Sequence, residues 1–564
     1  PDGKRIAFIS AREEKPQIFL ISPFGGEAEK LTESKAGVQS LVWSPDGARI
    51  AYTAAKEPTS EEEKKQKEKD DTQVVDKNFH MVRIWTIDVK TRKATELVKA
   101  DYSASDPQWS PDGRTIAYVA APTPKPDDGN LTDIWAVDVE SAKTHKLTEN
   151  PGPDSSPRWS PNGKRIAYLS RDQKNGLLGQ VRLTLMSADG SNARDLAPSF
   201  AYQPGSPNWS GDGAAIYFDS QVGTASQLFA VPASGGEPKQ ISHNAGQMGP
   251  ATLSRDGAVS AFTVSDIQHP ADVYVAKAPA FEPVKLTDHN PQVRDFELGV
   301  GEVVRWKSKD GMEIEGLVIY PAGYQQGKRY PMVVDIHGGP AGAWTNTFPG
   351  TWGNFGHVWA GKGWVCFYPN IRGSSGYGEK FLLANIRDWG GGDYRDIQSG
   401  IDYLIGRGIA DQDKLAQSGW SYGGYMTAWT LTQTNRFKAV MVGAGLTDMF
   451  SMYSTNDLQR VLEGYFGAEP WNDLEVYRRA SAMTFIKQAK TPALIQHGGA
   501  DTRVPPGQAQ ELYMGLHKNG IPVELVFFPR EPHGLQEPRH QLDKMRREYS
   551  WFSKYVLGVE VPEP

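Results

Sequence analysis

A ten-residue pattern recurs through the first half of the chain and limits what this half can fold into. It reads "WSPDGARIAY" from Trp43, and similar copies begin at Trp109, Trp159 and Trp209. A weaker copy, "LSRDGAVSAF", begins at Leu253, and the chain opens with "PDGKRIAF", a copy cut at its front. The Asp-Gly or Asn-Gly pair supplies the positive φ angles of a tight hairpin, and the residues after it have the composition of a strand.

The spacing of these copies predicts an architecture. Successive copies are 44 to 50 residues apart, except for a step of 66 between Trp43 and Trp109. Alternating segments such as "DIWAVDV" (133–139) follow the copies, which gives about four strands for each unit. Four-stranded units at this period are typical of a β-propeller, and we predict about seven blades with the front of the first one truncated. A β-sandwich with coincidental turns is the alternative interpretation.

The long step between two copies contains "EEEKKQKEKDD", residues 61–71, in which ten of the eleven side chains are charged. Such a run is typical of a solvated or disordered loop, which we place on one blade. The alternative interpretation is that a carboxylate pair, such as Glu61 and Glu62, holds the free amino group of a substrate.

From about Leu298 the pattern changes to strands that alternate with helices. Apolar runs at 331–339 and 363–370 end in loops, and "RDIQSGIDYLIGRG" has helical spacing. Continuous apolar strands separated by helices predict a mostly parallel sheet covered on both faces. The fold class is therefore multidomain, β followed by α/β, with a propeller over residues 1–295 and a catalytic α/β domain over residues 296–564.

The motif "GWSYG" places Ser421 between Gly419 and Gly423, after the strand-like "KLAQSG" and before the helix-like "YMTAWTLTQ". This strand, turn and helix context is that of the nucleophile elbow of the α/β-hydrolase fold. The two glycines fit, because a sharp turn from strand to helix has no room for a β-carbon at these positions. The helix N-terminus also favours developing negative charge. We predict that Ser421 is the nucleophile of an acyl-transfer reaction.

A serine nucleophile needs a base and a group that orients the base, in the chain order Ser, Asp or Glu, His for this fold. Asp501 follows the strand-like "ALIQHG", and His533 follows the strand-like "VELVFF". We predict that they complete a triad with Ser421. The competing candidates are Asp448 for the acid, which we expect to cap a loop, and His517 or His540 for the base.

An oxyanion hole requires two N–H donors beside the nucleophile. The residue after the nucleophile supplies the first donor in this fold, which is Tyr422 here. A glycine-rich loop after an earlier strand supplies the second, and "DIHGGPAG" offers Gly339 or Gly338.

Charge and composition exclude several classes of function. The formal net charge of -6 provides no basic surplus for binding nucleic acid, and no apolar run is long enough to span a membrane. The 11 histidines lack H-x-x-H or similar spacing, so we expect no metal and no cofactor. Cys366 is the only cysteine, which fits the cytoplasm or a bacterial periplasm equally well.

A propeller followed by a domain with "GWSYGGY", "HGGP", "NIRGSSGYG", "HGGADTRVP" and "PREPHG" resembles the prolyl oligopeptidase family of serine peptidases. The resemblance covers essentially the whole chain and is greatest to the branch of acylaminoacyl peptidases and bacterial dipeptidyl peptidases. It implies the triad of Ser421, Asp501 and His533, with Tyr422 and Gly339 as oxyanion donors. It also implies a propeller that caps the active site and admits short peptides, and an assembly into homo-oligomers, which are common in this family.

The resemblance also suggests residues that contact the substrate. The segment "GLTDMFSMY" is expected to line an S1 pocket for an apolar or aromatic side chain, through Leu446, Met449, Phe450 and Tyr453, with packing in the core as the alternative role. In "VYRRAS", Arg479 stands where the family member that cleaves after proline has an asparagine that holds a substrate carbonyl. Arg503 and Arg530 are candidates to meet a substrate carboxylate or carbonyl, with salt bridges beside the catalytic loops as the alternative role.

These observations favour a serine peptidase that acts on short peptides through an acyl-enzyme and releases dipeptides or acylamino acids. A carboxylesterase or acyl-ester hydrolase on the same triad is the first alternative. A binding protein with a propeller like that of TolB and an inert hydrolase domain is an alternative from another class.

Overall fold

The computed structural model describes residues 1–171, 178–254, 256–277 and 281–561. In these ranges the first half of the chain forms six antiparallel sheets, the blades of a propeller, and each copy of the repeated pattern lies in one blade. The prediction of about seven blades is therefore wrong. The 66-residue step holds an additional helix rather than another blade. Arg255, in the copy that begins at Leu253, lies outside the described residues.

Blade 1 has three strands, blades 2 to 5 have four, and blade 6 has five. In order of blades they are β1 (Ile6–Ser10), β2 (Gln17–Ile21), β3 (Glu29–Lys30); β4 (Val38–Trp43), β5 (Arg49–Ala55), β6 (Val82–Asp88), β7 (Ala94–Val98); β8 (Ser103–Trp109), β9 (Thr115–Ala121), β10 (Asp133–Asp138), β11 (Thr144–Lys146); β12 (Asp154–Trp159), β13 (Arg165–Arg171), β14 (Val181–Ser187), β15 (Arg194–Asp195); β16 (Asn208–Trp209), β17 (Ala215–Val222), β18 (Ala225–Pro232), β19 (Lys239–Gln240); β20 (Gln247–Met248), β21 (Thr252–Leu253), β22 (Val259–Ser265), β23 (Asp272–Lys277) and β24 (Val284–Lys285).

The tryptophan of the repeated pattern joins neighbouring blades. Its indole N–H donates to a backbone carbonyl of the preceding blade, at 2.9 to 3.3 Å, in three pairs: Trp109 to Val42, Trp159 to Gln108 and Trp209 to Arg158. The sixth copy has Leu253 at this position, which carries no such donor. The repeated pattern therefore specifies a turn within a blade and, at three of its four tryptophans, a bond between blades.

The charged run between β5 and β6 forms helix α1 (Ser60–Glu68), which corrects the prediction of a loop. Thr59 and Glu62 form a reciprocal capping box at its N-terminus, and Glu61 pairs with Lys65 one turn later at 3.2 Å. These local interactions favour a helix although none of its side chains is buried. Both carboxylates of the Glu61 and Glu62 pair are engaged within the helix, so the structure gives no support to an amine-binding role for them.

The second half of the chain forms an eight-stranded sheet with helices, which we call the hydrolase domain. Its strands are β25 (Gly301–Lys307), β26 (Glu313–Ile319), β27 (Tyr330–Ile336), β28 (Val365–Asn370), β29 (Ala410–Trp420), β30 (Ala439–Gly443), β31 (Ala493–Gly498) and β32 (Val523–Phe528). Its α-helices are α2 (Gly356–Gly361), α3 (Glu379–Leu382), α4 (Gly392–Gly406), α5 (Tyr422–Gln433), α6 (Met449–Thr455), α7 (Gln459–Phe466), α8 (Leu474–Ala480), α9 (Gly507–Lys518) and α10 (Pro538–Phe552).

The strand order β25-β26-β28-β27-β29-β30-β31-β32 places the predicted triad along one edge of the sheet. Strand β26 runs antiparallel to its two neighbours, β25 and β28. All the other neighbouring pairs of the sheet, from β28-β27 to β31-β32, are parallel. Ser421 follows β29, Asp501 follows β31 and His533 follows β32. Because the carboxyl ends of parallel strands meet at one edge, the three residues lie on the same side of the domain.

Asn346 of the hydrolase domain bonds to the propeller at three points. Its backbone N–H donates to the Thr224 carbonyl at 2.7 Å, and its side-chain amide donates to the Ala245 carbonyl at 2.8 Å. Its side-chain oxygen accepts the N–H of Ile267 at 3.0 Å. The boundary between residues 295 and 296 stays a prediction, with β24 and β25 on either side. In the described part of the chain, no helix has the length and apolar character needed to cross a bilayer.

Candidate active site

The turn at Ser421 is a strained elbow in which backbone contacts backbone. Ser421 has φ 64° and ψ −121°, an unusual conformation for a residue with a side chain. A β-carbon on Gly423 would lie 1.9 Å from the carbonyl oxygen of Ile336, and one on Gly419 would lie 2.4 Å from that of Gly423. Only glycine fits at either position. The close packing holds Ser421 at the N-terminus of α5, beside the loop that follows β27.

His533 and Asp501 form a hydrogen-bonded pair. His533 Nδ1 lies 2.8 Å from Asp501 Oδ2, and the Asp501 side chain is fully buried. The other carboxylate oxygen, Oδ1, accepts the backbone N–H groups of Arg503 and Val504, each at 2.9 Å. Burial opposes ionisation of Asp501, but hydrogen bonds from His497, His533 and Val504 outweigh it and hold its pKa well below the usual range. Asp501 is therefore an ionised acceptor for the imidazole N–H.

The loop that carries His533 is bonded to the end of β29 and to the loop after β31. The indole N–H of Trp420, the residue before Ser421, donates to the His533 carbonyl at 2.7 Å. The N–H of Ala500 donates to the Glu531 carbonyl at 2.9 Å. These bonds fix the backbone at His533 relative to the elbow and to the loop of Asp501.

Two backbone amides beside Ser421 are available to a ligand. In the described ranges, the N–H groups of Tyr422 and Gly339 donate no hydrogen bond to the protein. The neighbouring Gly338 lies against Ser421, since a β-carbon there would be 3.9 Å from Ser421 Oγ. His337, which begins this loop, is buried, and burial lowers its pKa to about 4. Its imidazole is therefore neutral at pH 7 and adds no charge beside the amides.

The competing triad candidates have other partners. Asp448 caps helix α6, rather than a loop, by accepting the N–H groups of Phe450 and Ser451. His540 Nδ1 lies 2.7 Å from Glu531 Oε1, and the ring of His517 stacks on a neighbouring ring in α9. None of these three residues contacts Asp501 or His533 in the described hydrogen-bond network.

Glu531, Glu537 and His540 are the described residues whose ligand atoms could surround a metal ion, since these atoms lie within 4.8 Å of one another. Their hydrogen bonds already account for the arrangement. The buried Glu531 carboxylate accepts the N–H groups of Gln536 and Glu537 at 2.7 and 2.8 Å, and Glu537 forms two hydrogen bonds with Arg530. The cluster thus shapes the loop that follows His533.

The predicted S1 residues divide into buried and exposed members. Leu446, Met449 and Tyr453 are buried, whereas 45% of Phe450 is exposed. The Tyr453 hydroxyl donates to Glu463 at 2.8 Å. Phe450 is therefore the most exposed member of this set, and the other three lie in the domain core. Their role in binding stays a prediction.

Each predicted substrate-binding arginine has a partner in the protein. Arg503 Nε donates to Asp457 at 2.6 Å, and Arg479 donates to the carbonyl of Arg387 at 2.6 Å. Arg530 pairs with Glu537 in two hydrogen bonds. A substrate group at any of them would have to compete with these bonds.

The sequence patterns did not single out three residues that touch the predicted machinery. His497 lies 3.5 Å from Asp501, and Trp420 donates to the carbonyl of His533. Asp393 accepts the hydroxyl of Tyr422 at 2.6 Å from the start of α4. The position of His497 four residues before Asp501, at the end of a strand, was a usable signal. Asp393 stands in a different segment and has no local signal.

The prolyl oligopeptidase family model matches residues 355–558 of the chain. The uncharacterized peptidase YuxL of Bacillus subtilis is 32% identical over 99% of this chain and 89% of its own length. The chain belongs to the prolyl oligopeptidase family. Dipeptidyl-peptidase 5 of Schizosaccharomyces pombe is 30% identical over 46% of this chain and 38% of its own length. The resemblance seen in the sequence motifs is confirmed, and this family member is a serine peptidase.

Solved structures of two peptidases share the fold of essentially the whole chain. The acylaminoacyl peptidase of Pyrococcus horikoshii has a TM-score of 0.84 at 23% identity and covers all of this chain and 88% of its own. A puromycin-hydrolyzing peptidase of Mycobacterium tuberculosis has a TM-score of 0.73 at 20% identity, over 98% of this chain and 86% of its own. At these identities the likeness establishes a propeller followed by a hydrolase domain.

Asp393 accepts the hydroxyl of Tyr422, and we predict that its burial makes the stability of this family member depend on pH. Burial raises the pKa of Asp393 to about 7, so the folded state keeps a proton that the unfolded chain loses near pH 4. Because the unfolded chain ionises Asp393 and the folded state does not, the free energy of unfolding of wild type falls as pH rises from about 4 to 7. We expect the melting temperature of wild type, relative to Asp393→Asn, to fall between pH 5 and pH 8. Thermal unfolding of both proteins measures this, and a constant difference would contradict it.

Proposed function

We propose that this serine peptidase hydrolyses short peptides with Ser421 as nucleophile, His533 as general base and Asp501 as the group that orients His533. The observation that carries the proposal is the 2.8 Å contact from His533 Nδ1 to the buried Asp501 carboxylate. The strained elbow at Ser421 lies on the same edge of the sheet, which supports its role as the attacking group.

The mechanism follows from the hydrogen bonds. Asp501 accepts the Nδ1 hydrogen, which leaves His533 Nε2 as a bare acceptor for the proton of Ser421. Ser421 Oγ attacks the scissile carbonyl carbon, and the amides of Tyr422 and Gly339 stabilise the oxyanion. His533 then donates its proton to the leaving amine, and an acyl-enzyme remains. Water, deprotonated by His533, attacks this ester, and His533 returns the proton to Ser421 Oγ as the bond from Oγ to the acyl carbon breaks and the acid leaves.

The proposed substrates are short peptides from which a dipeptide or an acylamino acid is released, with an apolar side chain at P1. The contacts of Asn346 with the propeller support a propeller that covers the catalytic side and limits the size of substrates. The apolar surface of Phe450 supports the preference at P1. The names of the relatives support the same class, since they include an acylaminoacyl peptidase and a dipeptidyl peptidase.

A panel of chromogenic substrates with a common apolar P1 residue tests the proposed substrates. It contains a dipeptide with a free amine, an N-acetylated amino acid, an N-blocked longer peptide and a simple acyl ester. We expect kcat/KM to be highest for the dipeptide or the acetylated amino acid, and a charged P1 residue to lower it. The higher of these two values identifies the enzyme as a dipeptidyl or an acylaminoacyl peptidase.

Two outcomes would overturn this proposal. Highest activity on the N-blocked longer peptide would indicate an endopeptidase. Turnover of the ester without cleavage of any peptide would indicate a carboxylesterase on the same residues.

A further inference from the structure

A second histidine, His497, lies near the same carboxylate oxygen of Asp501 as His533. His497, the fifth residue of β31, has no exposed surface. Its Nε2 lies 2.7 Å from the Val504 carbonyl and 3.5 Å from Asp501 Oδ2. Asp501 Oδ2 therefore lies between two imidazole rings, and Oδ1 faces two backbone amides.

The partners of His497 define its tautomer. A carbonyl oxygen only accepts, so the hydrogen must be on Nε2, which points it toward both Val504 and Asp501. Nδ1 is buried and has no hydrogen-bond partner in the described part of the chain. The ring therefore offers one N–H, and that N–H faces the turn from Asp501 to Val504. The same turn is closed from the other side by the Val504 N–H, which donates to Asp501 Oδ1 at 2.9 Å.

We propose that His497 is a positioning residue that holds Asp501 Oδ2 in place for His533. This inference rests on the proposed function, because it assigns to His497 a role through the triad. The N–H of His497 donates to the Val504 carbonyl at 2.7 Å and keeps the turn closed around the carboxylate, and it lies 3.5 Å from the oxygen that faces His533. In the described hydrogen-bond network His533 is the only donor to Oδ2, and its side chain is 27% exposed, so the turn that His497 closes limits the movement of the carboxylate.

Three substitutions separate this role from simple packing. His497→Phe keeps an aromatic ring of similar volume and removes the N–H, whereas His497→Gln keeps an N–H donor. Phe527→Leu is the matched control, because Phe527 packs on the His497 ring at 6.3 Å between ring centres and has no polar group. Displaced catalytic groups cost up to about a hundredfold in rate. We expect His497→Phe to lower kcat by about tenfold to a hundredfold with little change in KM, and His497→Gln to restore part of the loss.

A double-mutant cycle with Asp501→Asn is the deciding experiment. A residue that acts through Asp501 loses its effect when the carboxylate is gone, whereas a residue that acts on the fold does not. We therefore expect His497→Phe to change kcat by less than about twofold in the Asp501→Asn background. Circular dichroism and thermal unfolding establish that each variant is folded, and kcat is expressed per folded molecule.

The outcomes distinguish the inference from the function on which it rests. If Asp501→Asn lowers kcat and His497→Phe multiplies that loss in full, or has no effect alone, His497 is not a positioning residue and the triad stands. If Phe527→Leu reproduces the loss of His497→Phe, packing explains it and the inference is wrong. If Asp501→Asn retains wild-type kcat, the proposed triad fails, and the inference fails with it.

Discussion

The Ser421→Ala variant is expected to lose roughly 10⁶-fold in kcat for peptide hydrolysis, the loss found when a serine nucleophile is removed from a triad. Alanine keeps the backbone of the elbow and removes only Oγ, so no acyl-enzyme can form. The amides of Tyr422 and Gly339 remain in the variant and allow a small residual rate. Steady-state rates of wild type and variant on the same peptide measure the effect.

Ser399→Ala is the matched control for this prediction. Ser399 lies on α4, and its hydroxyl donates only to the Arg395 carbonyl at 2.8 Å in the described network. Its loss removes one local hydrogen bond in the same domain, and we expect kcat to be retained. Equal rates for Ser421→Ala and wild type would show that the nucleophile is another residue.

The Asp501→Asn variant is expected to lower kcat by roughly 10⁴-fold, as the same change does in another serine peptidase. The substituted side chain would present an amide in place of a carboxylate, and its NH₂ group favours the His533 tautomer with hydrogen on Nε2. That tautomer cannot accept the proton of Ser421. The pKa of Asp501 is held low in wild type, so the carboxylate is ionised throughout the neutral range. Steady-state kcat at pH 7 measures the loss.

Asp448→Asn provides the comparison, because Asp448 also follows a strand of the sheet but caps a helix. Asparagine caps helices about as well as aspartate, so we expect little change in stability and none in kcat. A large loss in Asp448→Asn with full activity in Asp501→Asn would exchange the roles of the two residues. Thermal unfolding of both variants excludes a loss of fold as the cause.

The fold was predictable because its signals are local. Each repeated hairpin lies within about ten residues, and the glycine at 419 is required by a contact within the elbow itself, since a β-carbon there would lie 2.4 Å from the carbonyl oxygen of Gly423. The chain order of Ser421, Asp501 and His533 follows from the order of parallel strands. Repeat spacing does not fix the number of blades, because the size of an insertion cannot be told from the size of a blade.

Two kinds of feature were not indicated by the sequence. Some are contacts between segments distant in the chain, and one is a helix whose composition is typical of a loop. The contact of Asp393 with the Tyr422 hydroxyl spans 29 residues and the Trp420 bond to His533 spans 113, so no local pattern marks either. The charged run on blade 2 has the composition of a loop, but its capping box and its ion pairs at helical spacing favour a helix. From the sequence alone, the arginines beside the site were candidates to bind either a substrate or another part of the protein. The structure shows a partner within the protein for each of them.

Asn346 forms hydrogen bonds across a seam of the propeller at which the repeats form no indole bond. Hydrogen bonds from the indole N–H groups link blades 2 to 5 in series, whereas Leu253 has no such donor at the seam between blades 5 and 6. Asn346 spans this seam, since it bonds to Thr224 in blade 5, to Ala245 in the segment between the two blades and to Ile267 in blade 6. The hydrolase domain thus connects blades 5 and 6 through one residue. Separating the propeller from the hydrolase domain would remove these three hydrogen bonds from the seam between blades 5 and 6.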